Sequence, residues 1–221
     1  MTIKKFLAKA SRLITGFSVL YGLYLLILLT IPYFTFQRDT DFLLTKRLVV
    51  HHDYYMAAFW CHIFTSPVLV LTGLLQFSGK IINSYPSAHR LAGKIYLVTL
   101  LFISAPGALI LAFYANGYLV TKISFIVLTL LWITFSILGY KTIRKRNFEA
   151  HGNFILRSYG LTLSAITLRF YAYLLAVFHS TLLPKDAYLL IALLSWIPNL
   201  IIAEILIRKG FIRSVMSRIK E

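Results

Sequence analysis

The chain has 221 residues, of which 59% are hydrophobic and 14% are charged, and its mean hydropathy is +0.77. A soluble domain could not present so much apolar surface to water, so the composition excludes a soluble globular protein and predicts an integral membrane protein. The net charge of +16 does not indicate nucleic acid as a partner, because the basic residues follow the loops instead of forming one face with interleaved aromatic residues.

Apolar runs give the predicted architecture. Crossing the ~30 Å hydrocarbon core of a bilayer takes about 20 residues at 1.5 Å each. The short links between the runs predict an all-α bundle of six transmembrane helices, forming one membrane domain over 1–221. The first run exceeds the roughly 7–15 residues of a signal-peptide core, so we expect it to remain as an anchor. The predicted helices are 13–34, 56–78, 92–115, 119–141, 154–178 and 187–207.

The basic residues also predict the orientation of the bundle. Most of the 23 Lys and Arg residues flank the two termini and the second and fourth links. By the positive-inside rule, we expect both termini in the cytoplasm. Attraction to anionic lipid headgroups is a further consequence of this charge.

Arg169 lies well inside the fifth apolar run. An arginine at a helix centre costs about 2.5–3.5 kcal/mol on insertion scales, so we expect it to face the bundle interior and to have a partner. Glu204 is an acid inside an apolar run, but it belongs near the opposite end, where Arg157 or Arg90 could pair with it. We therefore expect Arg169 to meet Asn199, a tyrosine hydroxyl, a backbone carbonyl or a bound anion.

Helical periodicity places a polar stripe on the fifth predicted helix. At about 100° per residue, His151, Ser158, Thr162 and Arg169 fall within about 20° of one line. We expect this stripe to face the bundle interior. There it either fixes helix packing through a network with Asn199 and water, or borders a bound ligand.

Three of the six histidines are candidates for binding. His89 and His151 precede apolar runs that begin on the same predicted side, so they lie at similar depth, as the two axial imidazoles of a b-type haem must. Each could instead be an interfacial residue that hydrogen-bonds a loop. His62 lies about six residues into the second predicted helix among aromatic residues, so it has little water and needs a partner.

Four segments carry a resemblance to a known family: AFWCHIFTSPVLVLTGLLQF, HRLAGKIYLVTLLFISAPGALIL, FIVLTLLWITFSILGYKTIRKRNFEAHGNFILRSYGLTLSAITLRFY and SWIPNLIIAE. In this order, over about 57–206, they resemble the DUF2306 family of uncharacterised bacterial multi-pass membrane proteins. The resemblance implies a fold but no established activity. The positions that match the family's polar signature are His62, Gln76, His89, Arg90, Gly93, Tyr96, His151, Arg157, Tyr159, Arg169, Asn199 and Glu204.

One stretch departs from the family's pattern. Family members often carry basic and aromatic residues after the histidine of AHGNFILRSY, where this chain has Gly152, Asn153 and Phe154. The departure weakens the cytoplasmic basic patch, and it argues against a phosphate-binding role for this segment.

The first functional hypothesis is membrane-linked electron transfer with haem b or a quinone. His89 and His151 would be the axial ligands. The haem propionates would be neutralised by Arg90, Arg157 or Arg169. The analogy rests on paired histidines and helix count alone.

The alternative hypothesis is a protein that binds or transports a polar or anionic small molecule or a lipid, held by Arg169, His62 and Asn199. A structural subunit of a membrane complex is a third, with the polar stripe joining helices. A hydrolase is the least favoured class, since neither a nucleophile-elbow nor an HExxH motif is present, and enzymatic activity is otherwise left open. The candidate binding residues are His62, His89, Arg90, His151, Arg157, Arg169, Asn199 and Glu204.

Overall fold

A computed structural model describes residues 3–178 and 181–217, with side chains from residue 16 onward within those ranges. The regular structure of this part of the chain is entirely helical, which confirms the predicted all-α class. It contains six helical stretches that are long and apolar enough to cross a membrane, as predicted. These stretches, named the first to the sixth span, are Gly16–Thr35, Asp53–Leu75, Pro86–Phe113, Leu119–Arg144, Phe148–Val177 and Pro184–Arg208.

Several spans are built from more than one helix. The α-helices are Ile3–Thr30, Asp53–Leu75, Gly79–Ser84, Pro86–Thr99, Ala105–Phe113, Leu119–Arg144, Phe148–Thr162, Ser164–Val177, Pro184–Leu194, Ile197–Arg208 and Phe211–Ser217. The 3-10 helices are Ile31–Thr35 and Asp41–Lys46, and a π-helical turn occupies Leu100–Ser104.

Two predicted helix starts, at 92 and 154, were too late. The third span begins at Pro86, which takes the first helical position, where its missing N–H costs nothing. The fifth span begins at Phe148, because the Asn147 side chain caps the helix by accepting from the amide of Ala150 at 3.0 Å. These first turns are polar, so hydropathy does not detect them, and they place the neighbouring histidines inside the helices.

The links after the first, third and fifth spans meet at one end of the bundle, named the 36–52 end after its longest link. Lys46, in the link after the first span, donates to Asn116, in the link after the third span, at 2.6 Å. Tyr118 donates to Asp186, at the start of the sixth span, at 3.0 Å. Side-chain hydrogen bonds therefore tie the neighbouring links together at this end.

The fifth and sixth spans are each interrupted near mid-length, and the interruptions face each other. The fifth span breaks at Leu163 and the sixth breaks after Leu194. The Thr167 hydroxyl donates to the carbonyls of Leu163 at 3.2 Å and of Ser195 at 2.5 Å. Side chains thus bind carbonyl groups at both breaks. This is necessary because the hydrocarbon core of a bilayer offers no water to bind them.

Candidate functional site

A cavity of about 560 Å³ lies inside the bundle towards the 36–52 end. Its volume falls within the roughly 300–1,000 Å³ of small-molecule sites, which are mostly apolar with a few polar groups. All six spans and the first link contribute to the lining. Representative residues, in chain order, are Tyr33, Phe42, Phe59, Ala108, Leu128, Leu161 and Tyr188.

Arg169 of the fifth span lines this cavity. Its Nη1 donates to the carbonyl of Ala165, one turn earlier, at 2.6 Å. The ion pairs formed by the described residues do not include Arg169. Its charge interacts with the nearby side chains of Tyr33 and His62. Since a guanidinium has five N–H donors, most of them are left for something that the described residues do not supply.

His62 of the second span lines the same cavity and lies against the π-helical turn of the third span. Its Nδ1 is 3.2 Å from both the carbonyl oxygen and the hydroxyl of Ser104. Pro106 follows this turn and has no N–H to complete the regular hydrogen-bond pattern. Short π-helical turns inside α-helices recur at functional sites. With Nδ1 engaged, Nε2 is the ring nitrogen left for a ligand.

Gly107 lets the second and third spans approach closely beside His62. A Cβ at this position would lie 2.6 Å from the carbonyl oxygen of Ala58 and 3.5 Å from the Cβ of His62. Only a residue without a side chain fits such an approach. Gly107 is therefore a positioning residue for His62.

A network of buried hydroxyl groups forms the cavity floor. The Tyr96 hydroxyl is 2.8 Å from Ser158 Oγ and 2.7 Å from Thr162 Oγ1. The indole N–H of Trp132 donates to Thr162 Oγ1 at 3.0 Å, and Ser136 Oγ is 2.8 Å from Ser158 Oγ. Trp132 and Thr162 line the cavity, so the network separates it from the opposite half of the bundle.

Lys46 closes the 36–52 end of the cavity, although it lies in a link. Its side chain is buried, and its ammonium donates to the carbonyl of Tyr114 at 2.5 Å and to the amide oxygen of Asn116 at 2.6 Å. Asn116 in turn donates to Thr45 at 3.1 Å. Burial lowers the pKa of Lys46 to about 8, and the charge of Lys122 acts in the same direction.

His89 and His151 lie towards the opposite end of the bundle and do not line the cavity. Both are partly buried and the charge of His151 influences His89, but the pairing expected from depth stays a prediction. His151 Nδ1 lies 2.8 Å from the carbonyl of Gly139. His89 Nδ1 is buried and has no hydrogen-bond partner in the described part of the chain.

Arg157 is the partner of Glu204, one of the two alternatives that the sequence left open. Nε donates to Oε1 at 2.5 Å and Nη2 to Oε2 at 2.9 Å, a two-point ion pair between the fifth and sixth spans. Arg90 is exposed and donates to the Ser87 hydroxyl at 3.3 Å. Arg157 and Glu204 therefore join helices outside the cavity.

Asn199 does not serve Arg169 as the acceptor that the sequence suggested. Its amide donates to Thr167 Oγ1 and to the Ser195 carbonyl, each at 3.0 Å, at the break in the sixth span. Asn199 is also absent from the cavity lining. Of the predicted binding residues, the cavity therefore brings Arg169 and His62 together.

Sequence reasoning missed several polar lining residues, although it placed Thr162 on the stripe that faces the interior. Tyr33 lies in the 3-10 turn that ends the first span, and Asp41 and Lys46 lie in the link after it. From its position in the sequence alone, each resembles an ordinary loop or interface residue. Trp132 lies in an apolar run, where a tryptophan carries no insertion cost that would mark it.

The family comparison agrees with the fold. A family described as a predicted membrane protein, DUF2306, matches residues 59–207. The chain belongs to the DUF2306 family. This confirms the resemblance, expected over about 57–206. In this DUF2306 protein, Arg169, His62 and the cavity floor lie in the matched region, whereas Tyr33, Asp41 and Lys46 precede it. No curated protein and no solved structure matches the chain.

Proposed function

We propose that this DUF2306 protein binds a small molecule with a polar or anionic group in the cavity at the 36–52 end. One observation carries the proposal: Arg169 lines a membrane-embedded cavity without a carboxylate partner among the residues described. A guanidinium inside a bilayer is costly unless it is paired or hydrated. A ligand with an anionic or strongly accepting group supplies that pairing.

The arrangement around Arg169 supports the same function. His62 reaches the cavity from the second span and Arg169 from the fifth, so two polar groups from distant parts of the sequence converge on one space. Both lie eight or nine residues from the 36–52 end of their spans, and so at similar depth. The remaining lining is largely apolar and aromatic, which suits the body of a ligand.

The test compares the molecules that co-purify with four forms of the protein in nanodiscs. Arg169→Gln removes the cation, and Ala108→Phe fills the cavity while leaving the cation in place. Ala172→Phe is the matched control, because Ala172 is exposed and lies outside the lining. Native mass spectrometry is expected to show an added mass on the wild type and the control that the other two variants lack.

Two results would contradict this function. One is an equal bound population in all four proteins, which would place the ligand elsewhere. The other is a wild type without any bound molecule, together with a melting temperature that Arg169→Gln leaves unchanged. In that case the cation would be satisfied by the protein and the bilayer alone.

Electron transfer with haem b or a quinone is the second candidate function. Two features of its proposed ligands favour it: His89 Nδ1 is buried without a hydrogen-bond partner among the described residues, and the bond from His151 Nδ1 to Gly139 leaves Nε2 as a possible axial ligand. An absorbance spectrum of protein purified after growth with a haem precursor tests the haem form. A Soret band that His89→Ala and His151→Ala each remove would support it, and a flat Soret region would end it.

The proposed placement is the bacterial inner membrane, with both termini in the cytoplasm. The distribution of basic residues supports this orientation, which puts the cavity at the outer side. Reporter fusions at the C-terminus and after Asn116 test it. We expect a cytoplasmic signal from the C-terminal fusion and an external signal from the fusion after Asn116. The opposite pair of signals would show that the bundle has the inverted orientation.

A further inference from the structure

The charged side chains that line the cavity limit the charge of its ligand. Within the described residues they are Arg169, Lys46 and Asp41, so the lining carries an excess of one positive charge. The Lys46 ammonium already donates to Tyr114 and Asn116. Among the described residues, Arg169 donates to a carbonyl oxygen of its own helix and keeps further donors for a ligand. One anionic charge on the ligand neutralises the lining, whereas two would bury an uncompensated charge.

The size of the cavity limits the body of the ligand. A volume of about 560 Å³ equals that of roughly 19 water molecules at ~30 Å³ each, which corresponds to roughly the same number of non-hydrogen atoms. One acyl chain or one small ring system fits this space. A phospholipid with two full acyl chains does not.

The positions of the charged and apolar lining residues also determine the orientation of the ligand. Arg169 lies seven residues beyond Thr162 along the fifth span, so the cation and the floor are separated by ~10 Å of helix axis. The deeper lining includes Leu69, Leu128 and Leu161. The polar groups of Trp132 and Thr162 at the floor already hydrogen-bond each other. A charged group is therefore accommodated near the cation, and an apolar body towards the floor.

We infer that the ligand is a single-chain amphipathic monoanion whose apolar body extends towards Trp132. Its oxyanion contacts Arg169, and it accepts from Nε2–H of His62 in the tautomer whose Nδ1 accepts from the Ser104 hydroxyl. This inference rests on the proposed function. The planar guanidinium favours a carboxylate, which it can bind through two parallel hydrogen bonds. A neutral amphiphile would leave the cation unpaired.

The test measures the binding of three probes to the full chain in nanodiscs at pH 7.5: palmitate, hexadecanol and hexadecyl phosphate. They share a chain and differ in charge, since the phosphate monoester carries about −1.5 to −2 at this pH. We expect palmitate to bind at least about tenfold more tightly than hexadecanol, the size of one charge-assisted hydrogen bond. Arg169→Gln is expected to remove this preference by weakening the binding of palmitate.

Arg213→Gln is the control for loss of a cation, because Arg213 is exposed on the far side and pairs with Glu149. If Arg169→Gln fails to fold, Arg169→Lys keeps the charge and should retain a reduced preference for palmitate. Hexadecanol or hexadecyl phosphate binding most tightly would overturn the monoanion assignment and leave the cavity function standing. Palmitate bound equally by wild type and Ala108→Phe would overturn both.

Discussion

Arg157 and Glu204 fasten the fifth span to the sixth through two hydrogen bonds, of 2.5 and 2.9 Å. The guanidinium also lies 5.8 Å from the ring centre of Phe135 and 5.4 Å from that of Phe154. Such contacts with aromatic faces favour the charged group. The two side chains are 20% and 38% exposed, so the pair is only partly buried within the bundle. Its role is to hold helices together, which leaves Arg169 as the cation available to a ligand.

We expect Glu204→Gln to lower the free energy of unfolding by about 1–2 kcal/mol, less than the loss for a fully buried pair, because both side chains stay partly exposed. Adding Arg157→Gln should recover part of the loss, since it removes the unpaired charge. Thermal unfolding in nanodiscs measures both. Arg213→Gln breaks a more exposed pair and should cost no more than about 0.5 kcal/mol. Equal losses of unfolding free energy in Glu204→Gln and Arg213→Gln would mean that partial burial does not strengthen the Arg157–Glu204 pair.

The hydroxyl of Tyr96 holds the cavity floor together, and Tyr96→Phe removes it without changing the ring. Ser158 and Thr162 would each lose a partner in a fully buried site, so we expect a loss of about 1–3 kcal/mol. Tyr140→Phe, on an exposed tyrosine of the fourth span, is the control and should have little effect. Unfolding followed by tryptophan fluorescence checks both. A Tyr96→Phe protein as stable as the control would show that the floor does not depend on this hydroxyl.

The close approach at Gly107 gives a third prediction. Gly107→Ala places a Cβ 2.6 Å from the backbone oxygen of Ala58, so the second and third spans must move apart. We expect lower stability and weaker ligand binding, because the shift moves His62 away from Ser104. Gly79→Ala is the control, since a Cβ there meets nothing within 4 Å, and alanine in a helix should stabilise slightly. Equal destabilisation by Gly107→Ala and Gly79→Ala would contradict the proposal that Gly107 positions His62.

The fold was predictable because its main determinant is chemical composition along the chain. A bilayer forces each long apolar run to become a helix, so six runs predict six spans whatever their side chains do. The polar caps at Pro86 and Asn147 lie outside this rule, which is why hydropathy placed two starts too late. The break at Leu163 was also missed, since apolar content continues through it.

The candidate site was predictable only in part, and the reason is again physical. Arg169 stood out because a guanidinium in an apolar run has a cost that can be read from position alone. His62 stood out because it lies inside an apolar helix among aromatic residues, where an imidazole has little water. Lys46 did not, because a lysine in a link between spans is ordinary until the fold buries it against Tyr114 and Asn116. Of the acceptors left open for Arg169, a backbone carbonyl, that of Ala165, is the one it contacts, whereas Asn199 binds at the break in the sixth span.

Lys46 gives the last prediction, a dependence of stability on pH. Burial lowers the pKa of Lys46 to about 8, from 10.5 for an unburied lysine. Below pH 8 the folded protein must keep a buried ammonium, and the full cost of that burial is present. As the pH rises from about 8 to 10.5, the folded state releases its proton before the unfolded state does, so this cost is relieved and stability increases.

The measurement compares the melting temperature of the wild type with that of Lys46→Met between pH 7 and 10. Taking the difference cancels the titration of the tyrosines, which both proteins share. The wild type should gain on the variant above about pH 8, by no more than about 3 kcal/mol in total, since each pKa unit corresponds to about 1.36 kcal/mol.

Lys122→Met is the matched control, because it removes a neighbouring lysine whose charge acts on Lys46. Without that charge the pKa of Lys46 should rise, and the onset of the gain should move to higher pH. The same pH series, measured on Lys122→Met and on the double variant that also carries Lys46→Met, shows this shift. A difference between wild type and Lys46→Met that stays flat across the range would mean that the Lys46 ammonium is hydrated and does not close this end of the cavity.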